Sequence, residues 1–123
     1  MFFLLLFIPI ISFSQNEWIM PDKDKNIKNP YLKTPASISE GKQIYNTLCW
    51  TCHGKTGDGK GPAAVNLNPS PVSFKSENFS KQKDGEIFYK ISNGRGMMIP
   101  YKHSINEKQR WFLVNYLKTF YEN

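Results

Sequence analysis

Cys49, Cys52 and His53 are the residues whose types and spacing are most specific for chemistry, in the run Cys49-Trp50-Thr51-Cys52-His53. Thiols at positions i and i+3 of one helical turn point the same way, so both can form thioether bonds to the vinyl groups of a single porphyrin. The histidine one position on can then offer its Nε2 to an axial site on the iron. C-x-x-C-H is the attachment signature of a c-type haem, and it predicts one covalent haem c here.

Other uses of the two cysteines require residues that this sequence lacks. A structural zinc site needs four ligands, but both cysteines lie in this motif and only one further histidine, His103, occurs in the chain. A thioredoxin-like redox pair belongs at a helix start after a strand, and no such strand pattern is visible. So tight a loop also disfavours an ordinary disulfide. Haem attachment is therefore the prediction for this motif.

Two loops after the motif carry further candidate residues. Residues 54–62 read Gly-Lys-Thr-Gly-Asp-Gly-Lys-Gly-Pro and end at Pro62, a composition typical of tight turns. Residues 95–101 contain Met97 and Met98. A thioether is a soft axial ligand, and histidine–methionine ligation raises the reduction potential of haem iron. Crevice-lining hydrophobic residues are the alternative for both methionines.

Three helices are predicted to position these loops, because polar cap residues precede apolar residues at helical spacing. The first begins with a capping box at Ser37–Glu40, the second runs from its cap Asp84 to Gly94, and the third begins with a capping box at Ser104–Glu107. The connection over residues 63–83 is predicted to be irregular and to fold around the cofactor. Its predicted crevice-lining residues are Val65, Leu67, Val72, Phe74 and Phe79.

In the order of these elements the chain resembles the class I monohaem c-type cytochromes, from about residue 41 to about residue 120. The resemblance implies a small all-α cytochrome c fold, with three main helices wrapped around one covalently bound haem. It also implies that Gly41 and Tyr45 of the first helix cross Leu113 and Tyr116 of the last helix. The sequence shows no internal repeat, so one haem is expected.

The same resemblance implies the remaining site residues. His53 and Met98 would be the axial ligands of the iron, and the Pro62 backbone carbonyl would accept a hydrogen bond from Nδ1–H of His53. Ile99 stands where the family has a proline, which leaves Met97 as an alternative to Met98.

The sequence predicts three regions in the chain. Residues 1–14 are nearly all apolar, carry no charged side chain and are too short for a transmembrane helix of about 20 residues. We expect a signal peptide cut at Ser14–Gln15, or else a short anchor. Prolines interrupt residues 15–36, which predicts an extended N-terminal arm before a haem domain at 37–123. Covalent haem attachment in the family implies export to the periplasm or to the outer face of the cytoplasmic membrane.

Charge and motif together predict an electron-transfer protein in an exported respiratory or dehydrogenase pathway. The formal net charge of +6 favours an acidic protein partner or peripheral contact with an anionic membrane, and no pattern favours nucleic acid. We expect a monomer or a complex subunit and no enzyme activity, since no acid–base pair or activated nucleophile is apparent. The alternatives are a ligand-sensing haem domain with an open or labile sixth site, or a cytochrome fixed in a larger redox complex. The predicted docking cations are Lys81, Lys83, Lys90, Arg95 and Lys102.

Overall fold

The chain is helical in the computed structural model, which describes residues 4, 6–10 and 18–122. Within those residues there is no β-strand, only an isolated antiparallel bridge between Arg95 and Met98. The prediction of an all-α fold with three main helices is confirmed. The helices are α1 (Asp22–Lys25), α2 (Pro35–Leu48), α3 (Trp50–His53), α4 (Glu77–Ser80), α5 (Asp84–Asn93) and α6 (Glu107–Glu122), with a 3-10 turn at Ala64–Asn66.

Helices α2 and α6 cross at Gly41, as predicted. A Cβ atom on Gly41 would lie 2.4 Å from the Phe112 carbonyl oxygen and 2.8 Å from Cβ of Tyr116. Only glycine allows so close an approach, because the obstructing carbonyl belongs to the backbone of α6. One turn further along α2, the Tyr45 ring packs edge-on against the Tyr116 ring at 5.3 Å. This crossing fixes the end of α2 from which the C-x-x-C-H motif begins.

Helix α5 joins α6 through an ion pair and an aromatic stack. The Lys118 ammonium donates to the Asp84 carboxylate at 2.7 Å, and both side chains are about one-quarter exposed. The Phe88 and Trp111 rings stack with centroids 3.8 Å apart. Trp111 is 1% exposed, so this stack belongs to the hydrophobic core. The two helices therefore hold the loop that follows α5 against the rest of the fold.

All three predicted helix caps are corrected by the structure. Helix α2 begins at Pro35, inside the predicted arm, because Thr34 and Ser37 form the capping box in place of Ser37 and Glu40. The backbone N–H of Gln109 donates to the Asn106 side chain at 2.8 Å, so the last helix is capped two residues after Ser104.

Asp84 is the first residue of α5, and Lys83 occupies the cap position. The Asp84 carboxylate is used in the ion pair with Lys118. Gly94 ends the helix at φ 60°, as predicted.

The N-terminal arm, residues 18–34, lies on α5 and α6 and contains the single turn α1. The side-chain amide of Asn29 donates to the Trp111 carbonyl at 3.2 Å and to Oδ1 of Asn115 at 2.9 Å. Gly85 of α5 must be glycine, because a Cβ atom there would lie 2.4 Å from the Asp24 carbonyl oxygen. These residues pack on the surface of the fold, and α1 is a helical turn that the sequence did not predict.

The first arm residues also contact cations near the end of α5. The Arg95 guanidinium carbon lies 4.4 Å from the centroid of the Trp18 ring, and the Lys90 ammonium lies 5.6 Å from it. Met20 is buried at 8% exposure, whereas Ile19 is 95% exposed. The predicted signal cleavage site at Ser14–Gln15 lies outside the described residues. None of the helices in the described part of the chain has the length and apolar character needed to span a bilayer.

Candidate haem-attachment site

Cys49 forms the junction between α2 and α3. Its backbone N–H donates to the Tyr45 carbonyl at 2.9 Å, and its own carbonyl accepts from the His53 N–H at 3.0 Å. These bonds place Cys49, Cys52 and His53 on one helical turn, as the spacing predicts. Both cysteines are free thiols of intermediate exposure, so a ligand can reach them from the surface of the fold.

Residues 54–62, the glycine-rich loop, fold back along α3. The Gly59 N–H donates to the His53 carbonyl at 2.8 Å, and the Gly61 N–H donates to the Cys52 carbonyl at 3.1 Å. On the other side of Pro62, the Ala63 N–H donates to the Thr51 carbonyl at 2.8 Å. Pro62 is therefore held beside the turn that carries the cysteines.

The Cys49 thiol favours its protonated form, and few other metal-binding side chains lie near it. Burial raises the pKa of the Cys49 thiol to about 12, and the neighbouring Cys52 adds to the effect. Thiol–disulfide exchange requires a thiolate, so this environment does not favour a redox role for Cys49. No group of three or more His, Cys, Asp or Glu side chains suited to a metal ion occurs among the described residues. His103 is exposed, as expected of a surface residue.

His53 is partly buried, and its imidazole is short of polar partners. Burial lowers the pKa of the imidazole, and an interaction with the Val72 backbone opposes that effect in part. Its Nδ1 atom is buried without a hydrogen-bond partner. The hydrogen bond expected from Nδ1–H to the Pro62 carbonyl is therefore absent here, and the backbone of Val72 is the one that approaches the ring. Such an imidazole favours the neutral form, which is the form that binds a metal.

Two aromatic residues next to His53 were not predicted in these roles. The Phe74 ring stacks on the imidazole, with centroids 4.6 Å apart and an angle of 23° between the planes. The Tyr45 hydroxyl donates to the carbonyl of Gly54, the residue after His53. Phe74 and Phe79 are buried, whereas Val65 is 86% and Val72 41% exposed, so the predicted apolar wall is only partly buried in the described chain.

Residues 95–101, the methionine loop, contain a tight turn closed by backbone hydrogen bonds. The N–H and carbonyl groups of Arg95 and Met98 bond to each other at 3.0 Å in both directions. Met97 at the tip of the turn is 72% exposed and Ile99 is 62% exposed. Met98 is of intermediate exposure. Of the two methionines, Met98 therefore lies closer to the protein interior.

Tyr101 ties this loop to the end of α2. Its hydroxyl donates to the Leu48 carbonyl at 3.3 Å, and its backbone N–H donates to the Ile91 carbonyl at 3.1 Å. Burial raises the pKa of Tyr101, and Cys49 and Cys52 add to the effect. The loop that holds Met98 is thus anchored beside the cysteine pair, although about fifty residues separate them in the sequence.

Residues 36–117 match the family described as cytochrome c oxidase, cbb3-type, subunit III. The chain belongs to this family. It is a c-type cytochrome with a covalently bound haem c, and Cys49 and Cys52 are present to form the attachment. The observed residues fit that cofactor, since two partly exposed thiols share one helical turn with the partly buried imidazole of His53. A comparison with curated proteins finds no match.

Solved structures of c-type cytochromes share the fold. A chain of the Kuenenia stuttgartiensis reducing HAO-like protein complex Kustc0457/Kustc0458 has a TM-score of 0.65 at 26% identity, over 74% of this chain and 46% of that chain. This chain thus spans less than half the length of that relative. The KustC0563 c-type cytochrome has a TM-score of 0.58 at 26% identity, over 65% of this chain and 95% of that chain.

A third structure, cytochrome CL from the marine methylotrophic bacterium Methylophaga aminisulfidivorans, has a TM-score of 0.56 and covers 88% of this chain and 71% of its own. At 18% identity it shows the fold alone.

Proposed function

We propose that this cytochrome is an exported carrier of single electrons, and that His53 and Met98 would bind the iron of its haem. The haem, when bound, supplies an iron that alternates between the ferric and ferrous states. The chain would attach it through Cys49 and Cys52, and it offers a partly buried imidazole at His53 against which Phe74 packs. These are the tasks of a carrier, and we expect no catalytic activity from this chain alone.

The observation that carries the proposal is the anchoring of the methionine loop beside the cysteine pair by Tyr101. A residue that binds the haem iron must be held in a fixed position. The reciprocal backbone hydrogen bonds between Arg95 and Met98 restrain Met98 in this way. Met98 is favoured over Met97 because Met97, at 72% exposure, points away from the interior. A methionine that closes the sixth position also keeps other ligands from the iron.

The test is the absorption spectrum of the ferric, haem-loaded protein, which shows a weak long-wavelength band when methionine binds the iron. We expect this band in the wild type and in Met97→Ala, and its loss in Met98→Ala. Loss of the band in Met97→Ala alone would move the ligand to Met97. A high-spin wild-type spectrum without the band, together with rapid carbon monoxide binding to the ferrous form, would instead favour a ligand-sensing haem domain.

Stable association with a larger redox assembly is a second candidate. It is favoured by the similarity to a chain of the reducing HAO-like protein complex and by the exposed apolar residues of the arm, Ile19 at 95% and Leu32 at 84%. Gel filtration of native extract, followed through haem absorbance, tests it. Elution near the mass of one chain favours a free carrier, and elution at a much larger mass favours a subunit.

We further propose export to the periplasm or the outer face of the cytoplasmic membrane, and docking to acidic redox partners. Support comes from the family, from the apolar residues 1–14 and from the net charge of +6. The predicted docking cations are not equivalent in the structure. Lys90 and Arg95 contact Trp18 of the arm, and Lys81 pairs with Glu77 at 3.3 Å. Lys102 is exposed beside the methionine loop, which makes it the clearest candidate for partner contact.

A further inference from the structure

We propose that Phe74 is a positioning residue that sets the rotational orientation of the His53 imidazole. This inference rests on the proposed role of His53 as an axial ligand. The two rings are nearly parallel, with an angle of 23° between their planes and centroids 4.6 Å apart. A flat side chain in contact with one imidazole face resists rotation of that ring about its bond to Cβ, because a rotated ring would strike the phenyl face.

Phe74 can act in this way because it is itself fixed. Its backbone N–H donates to the carbonyl of Gly57 at 2.7 Å, which ties its segment to the glycine-rich loop after His53. The side chain is 6% exposed. Its ring contacts those of Phe79 at 4.9 Å, Phe120 at 5.9 Å and Tyr45 at 6.2 Å. The remaining ring face is the one turned to the imidazole of His53.

The imidazole of His53 has few polar contacts, and the backbone of Val72 is a polar group that approaches it. In many metal sites a hydrogen bond from the second ring nitrogen fixes the imidazole plane. Here Nδ1 is buried without a hydrogen-bond partner, and the Pro62 carbonyl does not supply one. The stacked Phe74 ring is thus the side-chain contact that can define the plane. The orientation of an axial imidazole determines how its π orbital overlaps the iron d orbitals, so Phe74 would influence the electronic structure of the ferric haem.

The experiment compares Phe74→Leu with the matched control Phe79→Leu in the haem-loaded ferric protein. Both remove a buried ring from the same cluster, and Phe79, at 2% exposure, packs on Phe74 and Tyr121. The readout is the proton NMR pattern of the four haem methyl groups, whose order and spread report the imidazole plane. We expect a changed pattern in Phe74→Leu and the wild-type pattern in Phe79→Leu and in Phe74→Tyr, which keeps a flat ring.

Two results would overturn the inference. One is a wild-type methyl pattern in Phe74→Leu, and the other is the same altered pattern in Phe74→Leu and Phe79→Leu, which would assign the effect to core packing in general. If Phe74→Leu does not take up haem, Phe74→Met replaces it, because the unbranched, flexible methionine side chain adapts to irregular core space without supplying a flat ring. The wild-type spectrum tests the ligand assignment separately. A wild type without a low-spin, histidine-ligated spectrum contradicts the proposed function, whereas a low-spin wild type with an unchanged Phe74→Leu contradicts only the role of Phe74.

Discussion

The hydroxyl of Tyr45 donates a hydrogen bond to the carbonyl of Gly54, the residue that directly follows His53. Tyr45 is fully buried, at 0% exposure, and its own carbonyl accepts from the Cys49 N–H at 2.9 Å. One residue of α2 therefore holds both ends of the C-x-x-C-H turn, through its backbone at the first cysteine and through its side chain just after the histidine.

Tyr45→Phe should destabilise the haem-loaded protein by about 1–3 kcal/mol, because the Gly54 carbonyl loses its phenolic donor in a buried setting. Urea unfolding followed by haem absorbance measures the loss. Tyr89→Phe is the control, since the Tyr89 hydroxyl makes no hydrogen bond to another described residue. Equal stability of the wild type and Tyr45→Phe would mean that the bond to Gly54 contributes nothing to folding.

Tyr45 should also give the stability a dependence on alkaline pH. Burial raises its pKa above the ordinary value of 10.0, so the folded protein holds this proton more tightly than the unfolded chain. The stabilisation is complete below pH 10 and declines above it, as the unfolded phenol ionises, by up to about 1.4 kcal/mol per pH unit. Unfolding free energies measured between pH 8 and 11 should therefore fall less steeply for Tyr45→Phe than for the wild type. Parallel curves would contradict the assignment to Tyr45.

The helix crossing predicts a clear cost for Gly41→Ala. The added methyl group would lie 2.4 Å from the Phe112 carbonyl oxygen, and a backbone atom of α6 cannot move aside without separating the helices. We expect a loss of about 1–3 kcal/mol despite the better helix propensity of alanine. Thermal unfolding of the haem-loaded protein measures it, with Ser39→Ala on the exposed face of α2 as a near-neutral control. A Gly41→Ala protein as stable as this control would show that the crossing can relax.

Trp18 should hold the start of the arm on the fold. Its ring lies 4.4 Å from the Arg95 guanidinium carbon and 5.6 Å from the Lys90 ammonium, contacts worth roughly 0.5–1 kcal/mol each at a partly exposed site. In Trp18→Ala the lysines at positions 23, 25 and 28 should be cleaved faster by a lysine-specific protease than in the wild type. Ile19→Ala removes a side chain that is 95% exposed and should leave the rate unchanged. Equal rates in wild type and Trp18→Ala would mean that the other arm contacts suffice.

Sequence patterns predicted what depends on neighbours in the chain or on the family motif. The turn of Cys49, Cys52 and His53, the close crossing at Gly41 and the end of α5 at Gly94 were all predicted. The caps of the first and last main helices were wrong because Ser, Thr and Asn occur close together before each of them, and the cap of α5 was wrong because the Asp84 side chain has a partner elsewhere. That partner is Lys118 of α6, which takes up the carboxylate.

The contacts that could not be predicted join residues far apart in the chain. Nothing in the local sequence indicates that Phe74 stacks on His53, that Tyr101 reaches the carbonyl of Leu48, or that Trp18 covers Arg95. Each pair forms only when loops without regular structure fold against the helices. The absent bond from Nδ1 of His53 to Pro62 has the same cause, because the position of a loop carbonyl follows from the whole fold and not from the glycine–proline motif.

Electron transfer to small charged reagents should reveal the docking face. Lys102 is exposed and lies next to Tyr101 on the methionine loop, whereas Lys42 is exposed in the middle of α2. A trivalent anion about 10 Å from one positive charge gains roughly 1 kcal/mol in water, so Lys102→Gln should slow oxidation by hexacyanoferrate(III) two- to tenfold at low salt. Lys42→Gln should leave this rate near the wild-type value.

The wild-type rate should fall as ionic strength rises, and the rate with a cationic cobalt(III) phenanthroline complex should rise, because screening weakens attraction and repulsion alike. Rates that are independent of salt, or an equal decrease in both variants, would show that the charges beside the methionine loop do not steer electron-transfer partners.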